Sequence, residues 1–462
     1  MRGVTVLIFS LSLFGIQARG QALPVPPAPA LTSMPNVDIP RKLSLEKAEE
    51  ILLQKNLTLT AARYGVDVAR AQRLIAGLRP NPTITFGAEQ FDFTGSEVSR
   101  AFHDLVTTNS NSAANRTYTF RYDYILERGN KRELRTAVAE SQLQAAEAQL
   151  LDATRQQLFQ LKQAFYTAVL ARENLHVADE NVYLINSTEQ LIKLHVETGD
   201  TAEWELIKFQ SNKVQYQRDL VTAQLSYQQS VRDVLNLLGA QPSNVVALVP
   251  ISQTSQGPSL LADAPVEVLG DLRLKPVDLS LAEFRQAALD HRPDVVAVSH
   301  NVEAAEHALE LANALRHRDI DIAGEYQRLG SENTFGVTVS VPVFVHNNHV
   351  AEIDQAVAQL AQAKAQLAQV QLQALTDVDK AYKAYELSGR MVQLYTMEAV
   401  SKAEESFRIA GVSYKEGATS LLELSDSQRT YNQTRVAYNQ AHLDYRMSLF
   451  QLELATGKKI TD

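Results

Sequence analysis

No cysteine occurs among the 462 residues. That excludes disulfides, thiolate metal sites, a cysteine nucleophile and a lipid carried on an N-terminal cysteine. Positive charge is also in short supply, with 44 Lys and Arg against 53 Asp and Glu for a net charge of -9. A nucleic-acid partner would want a basic face, so none is expected. Beyond the first residues there is no apolar run long enough to span a bilayer as a helix. Strands that cross a membrane are not excluded by this, because alternating residues leave little trace in average hydropathy.

Proline and glycine are missing together from Lys131 to Glu197. Over that stretch apolar side chains recur at Leu134, Val138, Leu143, Leu150, Leu158, Leu161, Phe165, Ala168, Leu175 and Val182, a helical period. One helix of this length would run about 100 Å at 1.5 Å per residue, too long for one compact core to cover. It needs other helices beside it. From His349 to about Ala410 a similar pattern returns, with Val350, Ile353, Val357, Leu360, Leu367, Val370, Val378 and Tyr385 on one face.

The chain opens with Arg2 and an apolar run from Val4 to Ile16, the pattern of an export signal, with cleavage after Gly20 or Ala22. We read 1–22 as this signal and 23–42 as a proline-rich segment. Residues 43–240 and 279–458 read as two tandem copies, with a connector over 241–278 and a short tail over 459–462. The copies align through Leu43-Ser44-Leu45 and Leu279-Ser280-Leu281, each expected to open one helix reaching to about Leu78 and Leu315. They align again where Gly199, Glu205, Leu206, Gln210, Tyr227 and Gly239 match Gly417, Glu423, Leu424, Gln428, Tyr445 and Gly457. The first copy is longer by a polar segment between Phe91 and Asn115, expected to be an exposed loop.

Between the helical stretches lie alternating segments. Tyr118, Phe120, Tyr122 and Tyr124 alternate with Thr117, Thr119, Arg121 and Asp123; Phe335, Val337, Val339, Val341, Val343 and Val345 do the same in the second copy. Thr83 to Phe93 and the stretch around Ile320 and Ile322 are the expected partners. Strands of about ten residues with one apolar and one polar face suit a membrane barrel, apolar side to lipid. Four strands cannot close a barrel, and open edges are not tolerated in lipid, so other subunits must complete it. Two chains would give eight strands around a filled interior, and three would give twelve with room for a lumen.

The duplication, paired hairpins, long helices and glycine turns make the chain resemble the TolC family of outer-membrane efflux proteins from Leu43 to Gly457. The sharper motifs are Tyr414-Lys415-Glu416-Gly417 and Leu421-Leu422-Glu423-Leu424-Ser425-Asp426, similar to the family's turn into the returning helix. Ile125 to Arg132 looks like the strand-to-helix junction of the heavy-metal (CzcC-like) branch. The resemblance implies a mainly α fold with a small β part: long antiparallel helical hairpins forming an α-barrel, plus four strands per chain in a trimeric 12-stranded transmembrane β-barrel. It implies a homotrimer in outer-membrane lipid, docking on a periplasmic adaptor and an inner-membrane pump of RND type, and no cofactor. It also implies a pore gate at Glu423, Asp426, Tyr414 and Glu205, and an adaptor-contacting tip at Gly199, Gly417, Thr201 and Thr419. An arginine latch found in some members is replaced here by Thr419.

Nothing assembles into a catalytic site. His346 and His349 have no third metal ligand in view and read as a solvated junction. Lys131 and Arg132 stand in the first turn of a helix, where the dipole disfavours cations; anionic headgroups, a carboxylate or plain exposure would each account for them. The expected function is a passive efflux conduit for metal cations or drugs. Its rival is a structural or adhesive coiled-coil protein of the envelope, which the aromatic alternation at 117–124 opposes.

Overall fold

The computed structural model describes residues 39–89, 117–199, 201–240, 266–273, 280–329 and 332–460. The export signal, nearly all of the proline-rich segment, the polar loop between Phe91 and Asn115 and most of the connector lie outside the described residues. In order, the elements are β1 (Lys42–Ser44), α1 (Leu45–Lys55), α2 (Leu57–Ala76), β2 (Thr83–Glu89), β3 (Thr117–Leu126), α3 (Lys131–Thr198) and α4 (Glu203–Leu237). They continue with β4 (Glu267–Leu269), α5 (Leu281–His291), α6 (Pro293–Ala314), β5 (Ile320–Leu329), β6 (Glu332–Ser340), α7 (Val350–Leu394), α8 (Met397–Lys415) and α9 (Leu421–Thr456).

The unbroken helix expected from Lys131 is α3, 68 residues long. Three other stretches read as single helices are divided. Asn56 ends α1 and caps α2, its Oδ1 accepting from Leu59 N at 3.0 Å while its Nδ2 donates to Leu237 O at 2.8 Å. That tertiary bond favours the cap over continuation. Arg292 divides α5 from α6 because Pro293 disfavours helical geometry in the residue before it. The second long stretch breaks at Tyr395 and Thr396, where Thr396 Oγ1 accepts from Ala399 N at 3.2 Å and starts α8 afresh. Leu43 and Ser44, read as the start of a helix, instead end β1, which pairs in parallel with β4.

The main core sits around the middle of α3 and holds Phe165, Tyr166, Val169, Tyr227, Val231, Val268, Leu443 and Phe450, drawn from α3, α4, β4 and α9. Arg292, though buried, is fully engaged. It donates to Asp294 at 2.7 Å and to Asp377 at 3.0 Å, and so ties α6 to α7.

The sheet has the order β2-β3-β5-β6, antiparallel throughout, with β2 and β6 as its outer strands. Cross-strand partners share a face, so the register sorts the side chains. Phe86 lies opposite Phe120, Phe120 opposite Tyr326 and Tyr326 opposite Phe335; Ile84 and Tyr122 continue through Gly324 to Val337, and Tyr124 through Ile322 to Val339. The other face carries Thr85, Arg121 and Glu325 in one row, and there Arg121 reaches Asp123 at 2.7 Å and Glu325 at 3.7 Å. Pairing of the last strand stops at Ser340 rather than Val345, since Pro342 has no N–H to give. Val341 therefore lies just past the strand.

We expect spin labels at 84, 120, 122 and 337 to meet oxygen dissolved in lipid, and labels at 85, 121 and 338 to meet water-soluble quenchers. Val337→Lys, on the apolar face, should destabilise the folded protein in lipid by about 2 to 4 kcal/mol; the reverse accessibility pattern would put the register on the wrong face.

Candidate functional site: the helical tips

Two helix turns carry most of the site residues suggested by the sequence. Gly199 ends α3 with φ 85° and Gly417 follows α8 with φ 68°. A side chain at either glycine would meet nothing within 4 Å, so glycine is needed here for its left-handed backbone and not for space. The chain after each folds back onto the helix: Thr201 N donates to His195 O at 3.1 Å, and Ala418 N to Ser413 O at 2.8 Å.

Both turns pack into one cluster. Ile185 and Ile192 of α3, Phe209 of α4, Tyr414 of α8 and Leu424 of α9 are buried together, with Leu206, Phe407 and Leu421 against them. Tyr414 is 5% exposed and stacks on His195 with ring centroids 5.5 Å apart. Burial raises the pKa of its hydroxyl; the Thr201 side chain opposes that rise and the Glu205 carboxylate adds to it. Tyr414, Thr201 and Glu205, named from the sequence, are thus neighbours, and they join the first hairpin to the second.

Glu423 and Thr419 meet as well, at the start of α9. Ser420 Oγ accepts from Glu423 N at 3.3 Å, and the Glu423 carboxylate accepts from Ser420 N at 3.4 Å, completing a capping box for α9. The Thr419 hydroxyl also donates to it. Those bonds, Thr419 first, hold the Glu423 carboxyl below its usual range, whereas repulsion within an acidic ring would raise it. One turn on, Asp426 is exposed and pairs with Arg429 at 2.5 Å. Within one chain each acid therefore has its own partner.

Sequence reasoning missed Glu189. Its side chain is 10% exposed, on α3 between Ile185 and Ile192, and it binds Lys213 at 2.6 Å, Lys193 at 2.9 Å and Gln210 at 3.0 Å. Bonds from Lys213, Lys193 and Gln210 push its pKa down to about 2. The available signal was an acid interrupting an apolar face, with Lys193 four residues ahead. Lys131, left with three environments open, is buried against Asp319 at 2.9 Å. His349 sits with φ 61° at the start of α7 and faces Glu352 at 3.2 Å. Among the described residues no group of His, Asp and Glu could hold a metal ion, and no helix is long and apolar enough to cross a membrane.

The family model described as "Outer membrane efflux protein" matches residues 50–240 and 284–458. The chain belongs to this family. Among its relatives, nodulation protein T of Rhizobium leguminosarum bv. trifolii is 21% identical over 416 residues, covering 88% of this chain and 83% of that protein. The pyoverdine export outer membrane protein OpmQ of Pseudomonas putida is 24% identical over 406 residues, covering 85% and 81%. Among solved structures, the Campylobacter jejuni CmeC outer membrane channel superposes with a TM-score of 0.71 at 14% identity, over 90% of this chain and 87% of that one. As an outer membrane efflux protein, the chain works as an outer-membrane channel of tripartite efflux, with a large periplasmic helical part, and its fold is that of transport channels and not of enzymes.

Glu189 yields a pH prediction. A carboxyl with a lowered folded pKa stabilises the fold above its unfolded pKa, and that contribution is lost as pH falls from about 4.5 towards 2. Glu189→Gln should weaken the tip by roughly 1 to 2 kcal/mol at neutral pH, read as faster hydrogen exchange in α3 and α4 near the turn. The gap between variant and parent should narrow at about pH 3; a constant gap across that range would mean the charge plays no part.

Proposed function

We propose that three copies of the chain form a passive duct, their four-stranded sheets closing one barrel in the outer membrane and their helical hairpins one tube across the periplasm. The reading is carried by the sheet: it is apolar on one face, polar on the other, and among the described residues unpaired along the outer edges of β2 and β6. Three such sheets give the twelve strands that leave room for a lumen. The duct performs no chemistry of its own, and solute moves through it on work done elsewhere. The tips at Gly199, Thr201, Gly417 and Thr419 are its docking end for a periplasmic adaptor, with an inner-membrane pump of RND type behind it. The two halves of the chain are tandem copies, which the two-part family match supports.

The solute is set by the pump rather than by this chain. The stretch from Ile125 to Arg132, similar to the heavy-metal branch, has a structural task here: Arg128 N and Lys131 Nζ both bind Asp319 and so join the end of β3 to the start of β5. It carries no information on cargo. The name of OpmQ points to export of pyoverdine by that relative, and an organic solute is as compatible with this duct as a metal cation.

The gate is proposed at the tip, where three copies of Glu423 and Asp426 ring the mouth and Tyr414 and Glu205 hold the two hairpins together. Glu423→Gln with Asp426→Asn tests it without confounding, because glutamine still completes a capping box. Single-channel recording of the purified protein in planar bilayers should show a cation-selective parent and a double variant with weaker cation selectivity and no block by multivalent cations from the tip side. Unchanged selectivity and block would move the filter elsewhere, and a folded monomer by light scattering would overturn the duct itself.

A further inference from the structure

Where the strands hand over to the helices, the chain gathers several arginines that stand apart from its carboxylates. The antiparallel register brings the start of β2, the end of β3, the start of β5 and the end of β6 to the same end of the sheet. Three ion pairs use up acids there: Lys131 with Asp319 at 2.9 Å, Arg135 with Glu127 at 2.6 Å, and Arg132 with Glu133. Left over are Arg79, Arg128, Arg316 and Arg318, all exposed. Among the described residues none of these four has a carboxylate at ion-pair distance; Arg79 faces Glu133 only at longer range. Arg318 lies over the Phe344 ring, 5.4 Å from its centre.

Arg79 and Arg128 line a cavity of about 400 Å³ with Ile125, Leu126 and the carboxylates of Glu127 and Glu133, which Arg135 and Arg132 already occupy. Exposed apolar side chains adjoin the arginines in the chain, Leu78 before Arg79 and Ile125 and Leu126 before Arg128. Four unpaired guanidiniums are out of keeping with a chain of net charge -9. Guanidinium matches the paired oxygens of a phosphate, and cations just outside the hydrocarbon are attracted to anionic headgroups. The apolar neighbours favour a phosphate that arrives with acyl chains over one free in solution.

We propose that Arg79, Arg128, Arg316 and Arg318 form a collar that binds the phosphate headgroups of anionic phospholipids in the leaflet at the helical end of the sheet. The proposal rests on the sheet lying in the membrane, and it adds a lipid ligand to a protein otherwise read as an inert duct. The collar fixes the depth at which the sheet sits, since headgroup phosphates occupy one narrow layer.

The test uses the full-length protein purified in detergent, incubated with phosphatidylglycerol or phosphatidylcholine and examined by native mass spectrometry. The parent should retain phosphatidylglycerol about fivefold over phosphatidylcholine or more, and glycerol 1-phosphate should not displace it. Arg79→Gln, Arg128→Gln, Arg316→Gln and Arg318→Gln combined should bring the two lipids to parity. Equal retention of both lipids by the parent overturns the collar whether or not the variant assembles. So does an unchanged preference in the assembled variant, and displacement by glycerol 1-phosphate would mean that the arginines bind a free anion and not a lipid. A parent that conducts ions yet shows no lipid preference refutes the collar alone, whereas one that neither conducts nor forms a trimer refutes the duct.

Discussion

A backbone amide in hydrocarbon has no water to turn to, and the rest of this protein follows from that constraint. Among the described residues, β3 and β5 are paired on both sides, but β2 and β6 each have one partner. In the proposed barrel a sheet in that state is unfinished, so its strands call for neighbouring copies, and the helices that follow from the same copies would then lie side by side. The exposed apolar side chains of α4 agree with this. Trp204, Ile207, Val214, Val221 and Leu225 recur at helical spacing along one stripe, and each is more than half exposed in the single chain. Isolated surface apolar residues need no explanation, but a stripe over some twenty residues of one helix asks for a partner.

The two hairpins are fastened differently. In the first, α3 runs without interruption and is fastened near its end by the nearly buried Glu189 and its cationic partners. In the second, the equivalent path is cut at Thr396, and the ion pairs along α8, Glu398 with Lys402 and Glu405 with Arg408, are exposed on both sides. Such surface pairs contribute little, so α8 is held chiefly by its packing on α9 and by Tyr414 in the tip cluster.

How legible the fold was depended on whether a feature was written in periodicity or in a single tertiary contact. The 3.6-residue period and the absence of proline and glycine set out α3 to within a residue, and strict alternation set out β3. The breaks at Asn56 and Thr396 were not visible, because asparagine and threonine are tolerated inside helices and become caps only when something else competes. For Asn56 the competitor is the carbonyl of Leu237, 181 residues away in sequence. Proline before position 294 was visible, yet its consequence for Arg292 was missed, since a proline in the first turn is compatible with one helix starting and also with another ending. The β1 and β4 pair was hidden by length: three residues cannot display a period.

The site was legible only as far as turn chemistry carried it. Gly199 and Gly417 announce positive φ, so the tips could be located from local rules alone. What those rules locate they also explain, and this limits what can be read from Glu423. A glutamate in a capping box has a structural reason to be there whether or not it also faces a pore, and Asp426 has Arg429. Tyr414 differs, because no local rule asks for a large aromatic residue three positions before a terminal glycine. Its burial against His195 and its nearness to Thr201 and Glu205 arise only when the second hairpin meets the first. In the proposed duct the joining of the tips matters as much as length and closure, and Tyr414 is the residue there whose place local geometry leaves unexplained.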